Sequence, residues 1–146
     1  MPQSANKIAA GELDERIVSD PAQIAPVRLA VERLAADAGF DAKSVGEIGL
    51  CVNEAIANVI RHAYDGKADR PIHVKAHFDP KLEQFDVFIR DWGKGVNPET
   101  LPVKAKQLDP MLPGGLGLIC LKQMMSAVVF TPQPDGMLLT MSRRRG

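Results

Sequence analysis

Two stretches in the first half of the chain place apolar residues at three- and four-residue steps. In the first, Ile24, Val27, Val31, Leu34 and Ala38 make one stripe behind Asp20-Pro21, a cap followed by a first-turn proline, so the spacing predicts a helix over 21–39 that Gly39 closes. In the second, Val45, Ile48, Val52, Ile56, Val59 and Ala63 predict a helix to about residue 64. Its start is either Asp41 or Ser44, which has capping-box spacing to Glu47, and Asp65-Gly66 breaks it. Strict alternation marks strands at 72–78 and 84–90, where Val74, Ala76 and Phe78 and then Phe85, Val87 and Ile89 imply one covered face around an Asp79-Pro80-Lys81 turn. Alternation over 12–19 fits an edge strand after a ragged start, and 127–131 with 137–142 predict a closing hairpin behind a third helix over 118–126.

Between the second and third helical regions lies a long glycine- and proline-rich stretch over 91–117. A connection of that length in so short a chain suggests a functional lid or binding loop, centred on about 96–114. The element order predicts an α/β two-layer sandwich, helices packed on one face of a mixed, mainly antiparallel sheet. At 146 residues the chain supports a single domain, 1–146, with a core over about 12–142.

Composition narrows the class of function. The chain is 45% hydrophobic and 25% charged, as folded proteins are, and its 18 basic and 18 acidic residues cancel. No whole-molecule field draws a polyanion, so a direct nucleic-acid partner is not expected. The Arg143-Arg144-Arg145 run reads as a solvated terminus, contact with an acidic partner being the alternative. Cys51 and Cys120 stand among apolar neighbours without metal-ligand spacing, which fits buried thiols in a reducing compartment. Neither a secretory leader nor a membrane-length apolar run is evident, so a cytoplasmic protein with no membrane partner is expected.

Three constellations carry candidate chemistry. In Asn53 to Tyr64, Glu54 and Asn58 lie four residues apart, so a helix stacks a carboxylate that can orient a hydroxyl above an amide oxygen that can ligate a hard cation. Periodicity also allows Glu54 and Arg61 to be solvated, and His62 taken alone reads as a structural or surface histidine. Asp91-Trp92-Gly93-Lys94-Gly95 follows a strand, where a carboxylate can accept from an exocyclic amine such as adenine's and glycines let backbone approach a flat ring; an ordinary turn is the alternative. Trp92 packs under the lid or forms a partner surface. Pro113-Gly114-Gly115-Leu116-Gly117-Leu118 precedes a helix and can offer amides to phosphate, although it is neither a Walker A loop nor a dinucleotide fingerprint. Together they supply the parts a magnesium nucleotide needs, ATP with Mg2+.

In this order the motifs resemble those of the ATP-binding domain shared by gyrase, the ninety-kilodalton heat-shock chaperones, sensor histidine kinases and MutL. Glu54-x-x-x-Asn58 looks like the first motif, Asp91-x-Gly93-x-Gly95 the second and Gly115-x-Gly117 the third. The small size and the His62-Ala63-Tyr64 ending are similar to the anti-sigma-factor serine kinases of bacterial partner-switching systems. That resemblance implies the Bergerat ATP-binding fold and transfer of the terminal phosphate of ATP to a serine of an anti-sigma-factor antagonist. It also implies a sigma factor as second partner and a homodimer. It gives Glu54 as the base, Asn58 as the magnesium ligand and Asp91 as the adenine acceptor. Gly93 and Gly95 shape the base pocket, Gly114, Gly115, Leu116, Gly117 and Leu118 line the phosphates, and His62 and Ala63 close a wall. Arg28 resembles a partner-contacting arginine, with solvated surface as the alternative, and Lys104 and Lys106 are lid lysines that can approach phosphate or simply be exposed.

The chain departs from the pattern twice. Pro113 stands where some relatives carry a phosphate-reaching arginine, and Gly136-Met137-Leu138 stands where others have Gly-Thr-Thr, with a hydroxyl returning only at Thr140. A non-catalytic regulator that binds nucleotide as a switch is the alternative function, and an ATPase module of a larger complex is a third.

Overall fold

A computed structural model describes residues 11–93 and 121–145. Strand β1 (Glu12–Val18) is followed by helices α1 (Ile24–Asp37) and α2 (Ala42–Asn58), strands β2 (Pro71–Asp79) and β3 (Gln84–Asp91), and the hairpin β4 (Ala127–Gln133) and β5 (Gly136–Arg144). The strands form one five-stranded sheet in the order β1-β2-β3-β5-β4, and each of the four pairings is antiparallel. The predicted edge position of β1 holds. β4 is the other edge and carries Pro132, tolerated where no further strand needs its missing N–H.

Register explains why one face is dry. Val74 stands opposite Ile89 and Ala76 opposite Val87, while Ile89 and Val87 face Leu139 and Met141 on the other side. All six, with Phe85, are buried against the helices. A slip of one residue would turn this entire set to solvent, so the apolar alternation fixes the register. Phe40, after α1, seals one end of the core with edge-to-face contacts to Phe78 and Phe85, centroids 5.9 Å apart in each pair.

The helices form where the stripes predict them, with differences at their ends. Asp20 accepts from Ala22 N at 2.9 Å and opens a 3-10 turn, Pro21–Gln23, ahead of α1. The buried face of α1 is Ile24, Val27, Val31 and Ala35, while Leu34 and Ala38, expected on the stripe, are only partly buried at its margin. Asp41, not Ser44, caps α2, accepting from Ser44 N at 2.8 Å. The second helix does not continue as α to residue 64. After Asn58 it widens into a π turn, Val59–Ala63, in which Tyr64 N donates to Val59 O at 3.0 Å. Of the third helix predicted over 118–126, residues 121–126 are described; 121–124 are helical, whereas 125–126 already bend toward β4.

The arginine run is a correction. Arg143 donates to Met124 O at 2.7 Å and to Ser44 Oγ at 3.0 Å, and pairs with Glu47 at 2.9 Å. Arg145 donates to Ala38 O at 2.6 Å, pairs with Glu83 at 3.3 Å and lies over the Phe78 ring. These side chains stitch the end of β5 to both helices instead of fraying into water, because the sheet delivers them to the open carbonyl end of α1 and the start of α2.

Candidate functional site

Glu54 and Asn58 occupy successive turns at the end of α2, both half-buried at the margin of the core stripe. Among the described residues nothing hydrogen-bonds to Glu54, so its carboxylate is uncommitted there. Asn58 Oδ1 accepts from Arg61 Nη2 at 2.9 Å. Arg61 is half-buried, and its Nε is buried without a hydrogen-bond partner among the described residues. The reading of Arg61 as a solvated side chain therefore gives way to a guanidinium held against the amide, an arrangement that the three-residue spacing permitted. His62 is exposed and Ala63 is buried.

The π turn has a packing cause. Twelve residues separate Val52 from Tyr64, so at 3.6 residues per turn a continued α-helix would swing Tyr64 about a third of a turn off the stripe. The wider turn brings it back toward the core, where Val59, Ile60, Ala63 and Tyr64 are all buried. Asp65 and Gly66 then reverse the chain with φ of 51° and 81°. Ser19, fully buried, pins the loop that follows: its hydroxyl donates to Lys67 O at 2.5 Å and accepts from Arg70 N at 3.0 Å.

At the end of β3, Asp91 is only 3% exposed. Ile72 and Met137 flank it on the helix-facing side of the sheet, and both are buried. Burial pushes the Asp91 carboxyl above the ordinary aspartate range, opposed by the Gly93 N–H, the Arg90 charge and the Met137 N–H. Gly93 N donates to Asp91 Oδ1 at 3.0 Å, and the remaining lone pairs can accept from a further donor.

Two glycines make this strand end possible. A side chain at Gly93 would collide with the Ala63 carbonyl and lie 2.7 Å from the Ala63 methyl, so the strand end rests directly on the π turn. Gly136, at φ +156°, likewise lies against the Asp91 carbonyl where any side chain would overlap it. The Trp92 ring lies beneath the Arg90 guanidinium, 4.5 Å from carbon to centroid.

The hairpin departure is also resolved. Met137 stands directly across from Asp91, whereas Thr140 pairs with Phe88 on the opposite face of the sheet and cannot restore a hydroxyl beside the carboxylate. Arg28 is partly exposed, 3.8 Å from Glu32, with its Nε buried and unpartnered among the described residues. Gly95, Gly114, Gly115, Leu116, Gly117, Leu118, Lys104, Lys106, Pro113, Cys120 and the predicted lid lie outside the described residues.

The described residues thus bring Ala63 and Gly93 into contact and set Glu54 and Asn58 on the helix that ends there. The set fits a nucleotide chemically. A buried acceptor suits a base amine, and a lone amide oxygen suits magnesium, which takes most of its ligands from phosphate and water. Sequence reasoning gave Arg61 only as a solvated side chain and Tyr64 only as part of a motif ending, assigned neither a structural role, and missed Ser19. Only the Tyr64 signal was visible, as a polar-tipped aromatic at the end of an apolar stripe.

Comparison with known proteins leads to the same fold. Residues 17–143 match the model of the histidine kinase-like ATPase domain. The chain is 29% identical over 120 residues to the serine-protein kinase RsbW of Listeria innocua, covering 77% of this chain and 74% of that protein. It is 25% identical over 131 residues to RsbW of Bacillus licheniformis, covering 84% and 79%, and 24% identical over 137 residues to RsbW of Oceanobacillus iheyensis, covering 90% and 85%. A match running from the end of β1 through nearly all of β5 takes in both halves of the candidate site, and on that ground the chain belongs to the histidine kinase-like ATPase domain family.

Proposed function

We propose that this protein is a single-domain serine/threonine protein kinase that transfers the terminal phosphate of ATP to a serine of an anti-sigma-factor antagonist. It holds a sigma factor when that antagonist is phosphorylated. The observation that carries the reading is the junction of a buried strand-end carboxylate, Asp91, with the end of the helix bearing Glu54 and Asn58. The similarity to serine-protein kinases over most of the chain supports it.

Bound Mg-ATP supplies the phosphoryl group and the charge neutralisation that its transfer requires. Asp91 accepts from the adenine amine, with Gly93 and Gly95 giving the ring room. Asn58 Oδ1, which accepts from Arg61, would hold magnesium, and the Arg61 guanidinium would add positive charge for the phosphates. Gly114, Gly115, Leu116, Gly117 and Leu118 present backbone to those phosphates, and His62 and Ala63 form a wall. Glu54 orients the substrate serine and takes its hydroxyl proton as the new P–O bond forms and ADP leaves. The protein works in the cytoplasm as a homodimer, without contact to nucleic acid or membrane.

The test is incubation with labelled ATP, magnesium and an antagonist protein encoded alongside, followed by identification of the modified residue. Label on one serine of the antagonist is the expected result. ATP binding without any labelled protein would leave a nucleotide-dependent regulator in place of a kinase.

A further inference from the structure

We infer that Tyr64 is the positioning residue for the base-reading carboxylate: its phenol ties the end of the Glu54–Asn58 helix to the neighbouring ends of β2 and β3 beside Asp91. The inference rests on the nucleotide reading above and adds to it a residue that touches neither base nor phosphate.

The contacts are specific. Tyr64 Oη donates to Pro71 O at 2.5 Å and accepts from Trp92 N at 2.8 Å, so one hydroxyl uses both its capacities on two strands. Pro71 opens β2 and Trp92 follows Asp91 at the end of β3, and these neighbouring strand ends are separated by about twenty residues of chain. Trp92 N has left the sheet ladder, and without the phenol this N–H would need another acceptor in a part-buried place. The next amide, Gly93 N, holds Asp91 Oδ1. Tyr64 thereby fixes the peptide immediately before the one that orients the carboxylate.

A phenol is protonated at neutral pH even at its ordinary value, and burial raises it further, opposed by the Trp92 N–H and aided by the nearby Asp91 charge. The donor bond to Pro71 O is therefore retained at neutral pH. From the opposite face of the sheet Arg90 donates to the Asp91 carbonyl and pairs with Asp135 at 2.5 Å, so the strand end is gripped from both layers. The π turn is the local device that turns Tyr64 inward, and its other product is the Ala63 surface on which Gly93 rests.

Tyr64→Phe removes the hydroxyl and keeps the ring. The measurement is calorimetric affinity for ATP and for inosine triphosphate, whose base carries an oxygen where adenine carries the amine, in the wild-type protein, in Tyr64→Phe, in Asp91→Asn and in the double variant. A positioning role predicts that the wild-type preference for ATP falls about tenfold in Tyr64→Phe, the scale of one hydrogen bond. The double variant should then be no less selective than Asp91→Asn alone. An equal loss of affinity for both nucleotides, with the preference intact, would mark Tyr64 as merely structural and overturn the inference while leaving the nucleotide reading standing.

A wild-type protein that binds both nucleotides equally would instead defeat the base-reading role of Asp91, and the inference with it. If Tyr64→Phe does not fold, amide exchange in the wild type decides. Trp92 N–H should exchange far more slowly than an unstructured amide although the residue is 36% exposed, and exchange at the unstructured rate would contradict the tie.

Discussion

The two halves of the candidate site are built differently. The strand end is closed: Asp91 is buried, Gly93 and Gly136 have no room for a side chain, and Tyr64 and Arg90 hold the flanking backbone from the two layers. The helix end is open. Glu54 and Asn58 are half-buried, and the described contact that engages them is the single hydrogen bond from Arg61. A group that must recognise a rigid, flat base gains from being fixed in advance, because little ordering remains to be done on binding. Groups that must meet a metal, phosphates and a protein hydroxyl need access and a contact that can be exchanged. On the proposed function, the difference gives recognition to a closed element and chemistry to an open one on either side of one junction.

That contrast can be broken at either end. The largest effect is expected on the open side. Glu54→Gln should leave ATP affinity and thermal stability unchanged while phosphate transfer to the antagonist falls about 10²- to 10⁴-fold, the range for loss of a general base. Retention of full transfer in a single-turnover assay would remove Glu54 from that role.

On the closed side, Gly93→Ala should cost about 1–3 kcal/mol of unfolding free energy, as overpacking does, and weaken ATP binding together with it. Denaturant unfolding is the check. A variant as stable as the wild type would mean that the strand end can yield, and the contrast would lose its basis.

The smallest effect is a pH dependence. Burial raises the Asp91 pKa above its unfolded value, so between the two the folded chain keeps a proton that the unfolded chain has released. Stability at Asp91 is therefore greatest below that window and falls as pH rises through it, and Asp91→Asn should remove this slope from melting temperatures measured between about pH 4 and pH 7. ATP affinity should run the other way, falling as the pH drops and the carboxylate takes up its proton. Melting curves whose slope is the same in the variant would place the titration elsewhere.

Much of the fold was legible because burial follows period. The stripes of α1 and α2 and the alternation of β2 and β3 name most of the core residues of those elements, with Leu34, Ala38, Val45 and Phe78 left partly buried at its margin, and Asp20 and Asp41 act as caps where the sequence placed them as candidates. What was illegible depends on partners distant in sequence. Arg145 meets Ala38 O across 107 residues and Arg143 meets Ser44 across 99, so a basic run that reads as a frayed end becomes a structural tie only once the sheet is assembled. The buried role of Ser19 rests on a loop about fifty residues on.

The π turn was hidden for another reason. Val59, Ile60 and Ala63 satisfy an α stripe equally well, and only the need to bring Tyr64 inward as well distinguishes the two geometries. For the candidate site, residue types and spacing named Glu54, Asn58, Asp91 and Gly93. They left open whether Glu54 and Arg61 were solvated, because periodicity describes a helix alone and the strand end that leans on its last turn comes from elsewhere in the chain.

The central claim is that a fixed carboxylate and an exchangeable amide oxygen together take a magnesium nucleotide. Calorimetric titration of the wild-type protein and Asn58→Ala with ATP, with and without magnesium, tests it most directly. The account predicts magnesium-dependent binding in the wild type and its loss, by about a hundredfold or more in affinity, in a variant that melts within a few degrees of it. Binding that ignores magnesium in the wild type, or survives intact in Asn58→Ala, would contradict it.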